Sequence, residues 1–255
     1  MTPAPFPAVT ADAVLARLLY KDSLILVIDK PAGIPVHAGP KGGDNIERFF
    51  GVLRFGLPRS PSLAHRLDRD TSGCLVLGRH RKALAKLGKL FSSGRVEKTY
   101  WAIVVGAPPA ETGRIDLALA KRSTERGWWM KTDPGGLPTV TDYRLMGRNG
   151  PYSWLELAPK TGRTHQIRVH CAALGCPVLG DPIYGGTITE AADRPLHLHA
   201  RRVSLPLYPT RPQITVTAPV PPHMRPLLEA CGWREEMDVA AVADVSPAEA
   251  DPTDR

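Results

Sequence analysis

Residues able to do chemistry gather in three stretches of this chain, and the densest is His65-Arg66-Leu67-Asp68-Arg69-Asp70-Thr71-Ser72-Gly73. Apolar and small residues alternate at the start of the run behind it, Cys74-Leu75-Val76-Leu77-Gly78, so the nonamer reads as a loop feeding an inner strand. Asp68 stands between Leu67 and Arg69 and after the basic pair His65-Arg66, an environment that can bury a carboxylate and keep it ionised. The purely structural alternative is a turn in which Asp70, Thr71 and Ser72 bond to the backbone and Gly73 supplies an unusual φ. The second stretch, Leu157 to His170 (LAPKTGRTHQIRVH), runs from a strand through a Gly turn into a helix with a basic N-terminal end. The third, Glu97 to Val105, is a strand that carries Lys98 and Tyr100 two apart and therefore on one face.

The elements that must hold these stretches can be read in chain order. Thr10 offers an N-cap for a helix over Ala11 to Leu19. Leu24 to Ile28 is a continuous apolar strand closed by the Lys30-Pro31-Ala32-Gly33 turn. Asp44 and Glu47 have capping-box spacing ahead of a helix that places Ile46, Phe49, Phe50 and Leu53 on the core. Arg81 to Ser92 is a helix with Leu84, Leu87, Leu90 and Phe91 inward, Lys82, Lys86 and Lys89 outward, and Gly94 as its stop. Thr139 to Met146 and Ser153 to Leu157 form strands joined by a hairpin over 147–151. Between Lys121 and Pro138, Arg122, Arg126, Trp128, Trp129 and Lys131 mix bases with aromatics, as single-strand binders do; the other reading is an excursion whose tryptophans pack on the sheet. Thr164 to Leu174 is a helix with Ile167, Cys171 and Leu174 in one stripe. Strands at Arg201 to Leu207 and Gln213 to Thr217 precede a short helix over Pro226 to Cys231. Hairpins outnumber β-α-β units, so the fold class is α+β, with a mostly antiparallel, mixed β-sheet flanked by helices.

Length and composition narrow the class. With 255 residues, 43% of them apolar, the chain is of ordinary globular make-up. Lys and Arg number 33 against 25 Asp and Glu, a net charge of +8. Five of the acids lie in residues 238–255 beside a single base, which leaves a net +12 on the rest of the chain. Such a body suits a polyanionic partner, because neutralising phosphates releases counterions. Cys74, Cys171, Cys176 and Cys231 form no C-x-x-C pair and read as reduced, buried thiols of a cytoplasmic protein. Cys171 and Cys176 lie near His165 and His170, but no second ligand pair accompanies them, so no metal site is expected. No apolar run approaches the ~18 residues of a membrane span.

Taken together, the H-R-L-D-x-x-T-S-G loop, the K-x-Y strand and the T-G-R-T-H-Q-I-R-V-H segment resemble the pseudouridine synthases of the RluA family, in that family's order. Leu24 to His37 and Gly180-Asp181-Pro182-Ile183-Tyr184-Gly185 also resemble it, so the likeness covers roughly residues 20 to 233. It implies isomerisation of uridine in structured RNA without cofactor or metal: the N1–C1′ bond breaks, the base turns, and C5 joins C1′. Asp68 is then the catalytic carboxylate, as nucleophile at C1′ or as base toward the 2′ proton. Tyr100 would lie against the uracil and assist the final deprotonation, and Arg163 would be the basic residue paired with the aspartate. His65 and Arg66 would line or fill the gap left by the flipped base. The likeness sets residues 1–19 apart as an N-terminal extension and 20–237 as the catalytic domain, while 238–255, rich in Ala, Asp, Pro and Glu, read by composition as an acidic disordered tail. No module resembling an S4 domain precedes residue 20, which favours a compact target such as a tRNA stem-loop or an rRNA hairpin; no protein partner is implied.

Two rivals stand beside this reading. Asp68-Arg69-Asp70-Thr71 resembles the D-x-D-x-T signature of Mg²⁺-dependent aspartate-nucleophile phosphohydrolases, but the preceding Pro61-Ser62-Leu63-Ala64-His65-Arg66 is no buried strand. A non-catalytic RNA-binding protein is disfavoured because Asp68, Tyr100 and Arg163 are all present.

Overall fold

The computed structural model describes residues 9–39, 42–122, 129–185 and 194–236. Its strands are β1 (Leu18–Lys21), β2 (Ile25–Lys30), β3 (Ser62–Leu63), β4 (Ser72–Gly78), β5 (Glu97–Val105), β6 (Thr112–Asp116), β7 (Leu119–Lys121), β8 (Met130–Thr132), β9 (Val140–Asn149), β10 (Tyr152–Pro159), β11 (Leu198–Leu205) and β12 (Ile214–Thr217). The helices are α1 (Ala11–Leu15), α2 (Arg81–Ser92), α3 (Gln166–Ala173), α4 (Arg225–Ala230) and a 3-10 helix over Ile46–Leu53.

The apolar runs of β2 and β4 are buried on both faces, as strands at the middle of a covered sheet must be. Ile25, Val27, Cys74 and Val76 face Leu87 and Leu90 of α2, whereas Leu26, Ile28, Leu75 and Leu77 face Ile46, Phe50 and Leu53. Alternation on β5 and β10 does the same further along, with Ala102 and Leu155 toward Ile167 and Cys171 of α3, and Ile103 and Trp154 toward Met224 and Leu228. The strand order is β1-β2-β4-β11-β5-β10-β9-β6, with β12 beside β11 and β3 beside β4. Every neighbour is antiparallel except β4 and β11, so the sheet is mixed and mostly antiparallel, as the sequence implies.

The parallel pair sits at mid-sheet and requires Gly73. There β4 meets β11 so closely that a Cβ on Gly73 would stand 2.3 Å from the Ala200 carbonyl oxygen, and φ is +107°. The unusual backbone expected of Gly73 is therefore present, and it serves strand approach directly behind the Asp68 loop.

Several boundaries differ from the sequence reading. Thr10 does cap the first helix, accepting from the Ala13 amide at 3.2 Å, but that helix ends at Leu15 and Leu18–Lys21 is a strand on β2. Pairing with an existing sheet outweighs a weak helical preference there. The capping box is not formed. Asn45 is the N-cap of a 3-10 helix, Asp44 pairs with Arg48, and Glu47 pairs with His37 at 2.6 Å. The basic and aromatic excursion is in part a two-stranded hairpin, β7 with β8. Trp128 and Arg126 lie outside the described residues, as does the acidic tail; Trp129 carries the Arg122 guanidinium 5.6 Å from its ring centre.

Candidate active site

The loop before β4, the start of β5 and the N-terminal end of α3 converge on a cleft of about 540 Å³, within the range of small-molecule sites. Among the described residues Asp68 is the one acidic member of its lining, against His65, Arg66, Lys98, Lys160, Arg163, His165 and Arg168. Tyr100 completes the wall.

Local structure fixes the aspartate. The Asp68 carbonyl accepts from the Thr71 amide at 3.2 Å, closing the turn before β4. Lys30, fully buried at the end of β2, donates to the carbonyls of Pro31 and Ile34 at 2.8 Å each and of Arg69 at 2.9 Å, so it ties the Lys30–Gly33 turn to the residue after Asp68. Burial pushes the Lys30 ammonium down to about 7, against the pull of the Asp70, Asp68 and Asp29 carboxylates. Asp70 accepts from Arg69 Nε at 3.0 Å, which fits loop support rather than a second reacting carboxylate.

The guanidinium within ion-pair distance of Asp68 belongs to Arg168, with Nη1 3.5 Å from Oδ2. The expected partner, Arg163, is exposed on the cleft wall and makes no ion pair with Asp68 among the described residues. The reason is helical geometry. Arg163 precedes α3 in the turn that Gln166 closes, whereas His165 and Arg168, three residues apart, both bring a side-chain nitrogen within 4 Å of Asp68. His165 Nε2 is 3.8 Å from Asp68 Oδ2. Arg168 is held from behind by Asp181, whose side chain is wholly buried: Nε and Nη2 each lie 2.7 Å from a separate carboxylate oxygen, a bidentate pair. Asp181 in turn accepts from the amides of Ile183 and Tyr184 at 2.9 and 3.1 Å. Burial works against charge on Arg168, but Asp181 and Asp68 more than offset it, so the guanidinium is held above its ordinary range.

His165 is the N-cap of α3 with φ +53°, a left-handed backbone that non-glycine residues seldom adopt. Its Nδ1 is 2.8 Å from the Tyr184 hydroxyl, and that hydroxyl also accepts from the Met130 amide at 2.9 Å. Burial lowers the His165 pKa even though the Asp68 charge raises it. Gln166 closes the Thr161–Arg163 turn, accepting from Thr161 Oγ1 at 2.7 Å and from the Arg163 amide at 3.1 Å. Opposite, half-buried Tyr100 has its pKa raised, by burial first and the Asp68 charge second, so the phenol stays protonated at neutral pH. Lys98 donates to the Thr161 carbonyl at 3.1 Å, and burial followed by Lys160 lowers its pKa.

His65 and Arg66 part company. The His65 ring stacks on Phe91 at 4.8 Å and its Nε2 accepts from the Val76 amide at 3.0 Å, so it is fixed as wall. Arg66 is exposed beside it. Arg168, Asp181 and Tyr184 are the members that sequence reasoning passed over. The spacing of His165 and Arg168 was the available signal for the first, and the G-D-P-x-x-Y motif for the other two.

Asp68 opens the loop before a strand instead of ending one, the reverse of the D-x-D-x-T arrangement. Comparison with known proteins agrees. Residues 24–173 match the family model described as RNA pseudouridylate synthase. An RNA pseudouridine synthase of Zymomonas mobilis is 44% identical over 207 residues, covering 80% of this chain and 94% of that one. The ribosomal large subunit pseudouridine synthase C of Haemophilus ducreyi is 34% identical over 218 residues, covering 83% of this chain and 68% of that one. The solved structure of human RNA pseudouridylate synthase domain containing 4 superposes with a TM-score of 0.74 at 28% identity, covering 87% of this chain and 95% of that one. Sequence and fold thus arrive at one answer: the chain belongs to the RluA-type RNA pseudouridine synthases, enzymes that isomerise uridine within RNA.

Proposed function

We propose that Asp68 is the catalytic carboxylate and that its substrate is a uridine flipped from a compact fold, a tRNA stem-loop or rRNA hairpin, in the cytoplasm. The observation that carries this is the lining of the cleft, where among the described residues Asp68 is the sole carboxylate beside bases and the Tyr100 ring. Residues 20–237 serve as the catalytic unit. A flipped base costs a few kcal/mol of stacking and pairing, which contacts with the basic walls offset.

The isomerisation balances without a co-reactant. The N1–C1′ pair leaves with the uracil, the base turns, a new pair joins C5 to C1′, and the C5 proton is exchanged for one at N1. The carboxylate must be ionised whether it attacks C1′ or takes the 2′ proton, and Arg168 supplies the facing positive charge. Because burial and the neighbouring carboxylate hold the Tyr100 phenol protonated, Tyr100 acts as a stacking surface and hydrogen-bond donor. That replaces the base role expected of it at the final deprotonation. Arg163 and Arg66, both exposed at the rim, contact the RNA.

Asp68→Asn should abolish pseudouridine formation while RNA affinity stays within about tenfold, ~1.4 kcal/mol. Pseudouridine mapping of total RNA from cells with and without the gene supplies the substrate for the assay. Turnover by the Asn variant would remove Asp68 from the mechanism.

A further inference from the structure

A second groove, of about 470 Å³, opens beside β3 and the N-terminal end of α2. Its walls include Arg59, Arg79, His80, Arg81 and Lys82, and none of the described residues that line it is acidic. Arg79 is committed to the fold, donating to the carbonyls of Asp22, Arg54 and Phe55, but Arg59, Arg81 and Lys82 are exposed. The groove is joined to the catalytic cleft by α2. Arg81, Lys82 and Leu84 line the groove, while Gly88, Phe91 and Ser92 of the same helix line the cleft.

Along the outer face of α2 run Lys82, Lys86 and Lys89, with Lys86 lying 5.3 Å from the Tyr208 ring centre and Lys89 exposed. The spacing, four and then three residues, aligns them. From Asp70 to Glu97 the chain has no acidic residue between them, but six basic ones. Several exposed bases elsewhere are matched, as in Arg114 with Asp142, Arg144 with Glu156 and Arg225 with Glu235. Among the described residues Arg59, Arg81, Lys82 and Lys89 have no such partner. Helix stability does not explain the placement, because Arg81 and Lys82 occupy the first turn, where the positive end of the helix disfavours cations. A solvated lysine face would also be expected to carry acids among its bases, as helix surfaces generally do.

We propose that Arg59, Arg81, Lys82 and Lys89 form a phosphate-binding track that holds the RNA backbone flanking the target uridine, extending the contact from the catalytic cleft along α2 into the second groove. The proposal rests on RNA being the substrate. The twelve-residue helix is ~18 Å long at 1.5 Å per residue, a span that covers several successive phosphates of one strand. Arg81, Lys82 and Lys89 on that helix and Arg59 on the groove wall can each meet a separate phosphate.

The test is the salt dependence of binding to one long labelled RNA hairpin of arbitrary sequence, about 20 base pairs, which can cover the cleft and the track together. Each phosphate contact contributes ~0.9 to the slope of log K against log salt. The variant R59Q/R81Q/K82Q/K89Q should therefore lower the slope on the long hairpin by about 3 to 4. Between 50 and 200 mM salt the wild type should lose about a hundredfold more affinity than the variant. The pairs R59Q/R81Q and K82Q/K89Q should each give about half the effect, and thermal melting confirms that each variant is folded.

R148Q/R234Q neutralises two exposed bases on β9 and after α4, and β9 is four strands from β4 in the sheet. It should leave the slope unchanged. An unaltered slope in the fourfold variant overturns the track, and so does an equal loss per charge in R148Q/R234Q. Absence of pseudouridine in RNA treated with the wild type would instead strike the functional reading, and the binding slopes would still judge the track.

Discussion

Arg168 gives the sharpest test of the site, because it touches two carboxylates with different jobs. It stands 3.5 Å from Asp68 and makes two 2.7 Å bonds to the fully buried Asp181. At an effective dielectric of about 20, two unit charges ~3.5 Å apart attract by roughly 5 kcal/mol before solvation is counted, enough to matter for a reaction that needs the carboxylate charged. Arg168→Met should lower kcat by about 10²- to 10³-fold, ~2.7–4 kcal/mol, the usual effect of removing one electrostatic stabiliser. It should also destabilise the fold by about 3–5 kcal/mol, because Asp181 is left buried and uncompensated. The two losses separate in a double variant. Asp181→Asn keeps an oxygen for the Ile183 and Tyr184 amides and removes the stranded charge, so Arg168→Met/Asp181→Asn should recover most of the stability in urea unfolding and none of the single-turnover rate. Arg168→Lys should fall between, since an ammonium cannot make the parallel pair. Arg163→Met, at the exposed wall, should keep the rate at saturating RNA and weaken affinity only. Recovery of rate in the double variant would refute a direct role for Arg168 at Asp68, and loss of rate at saturating RNA in Arg163→Met would restore the sequence-based pairing.

Lys30→Met removes three bonds to carbonyls around the Asp68 turn and should cost about 2–4 kcal/mol of stability; an unchanged urea midpoint would show that the tether is dispensable. Tyr100→Phe should retain most turnover and Tyr100→Ala little, and neither the wild type nor Tyr100→Phe should show a tyrosine limb in the pH–rate profile below pH 9, because the phenol pKa is raised by burial and by Asp68. The fold should be acid-sensitive. His197 and His199 are buried, with pKa values pushed by burial from 6.5 down to about 4 and about 3. Below pH 6.5 the unfolded chain takes up protons that the native histidines refuse, so stability falls by ~1.4 kcal/mol per histidine per pH unit. Asp29, raised by burial from 3.8 to about 6, works in the opposite direction between those values and returns about 2 kcal/mol. His65, pushed by burial from 6.5 to about 4, adds to the loss, so the histidines outweigh Asp29 and the fold should lose several kcal/mol, ~1.4 per unbalanced proton per pH unit, as the pH falls below 6.5; His199→Gln should shallow the loss, and a flat urea midpoint over that range would contradict the burial argument.

How much of this was legible in the sequence depended on the range of the forces involved. β2 and β4 were readable because continuous apolar runs bury two faces regardless of neighbours, and α2 because its leucines keep helical spacing and a glycine stops it. β1 was not, since Leu18–Lys21 becomes extended only by bonding to β2. Asp44 and Glu47 had capping-box spacing, but each found a nearer charge, Arg48 and His37, and an ion pair formed in the turn displaced the cap. Asp68 stood out because an acid in a basic loop before a buried strand is locally conspicuous.

Arg163 and Arg168 could not be ranked that way, because both lie in one basic segment and the choice between them is made by a residue thirteen positions beyond Arg168. Asp181 holds the Arg168 guanidinium in its plane, and Asp181 is placed by the turn it closes onto the amides of Ile183 and Tyr184. The same turn brings Tyr184 to His165, whose left-handed backbone starts α3 with its polar face toward the cleft. Orientation of the charge beside Asp68 thus depends on a chain segment that contributes no atom to the ion pair itself. A site of this kind is precise only if the support is rigid, which accounts for a buried bidentate pair where a single exposed arginine would have supplied the same charge without fixing its direction.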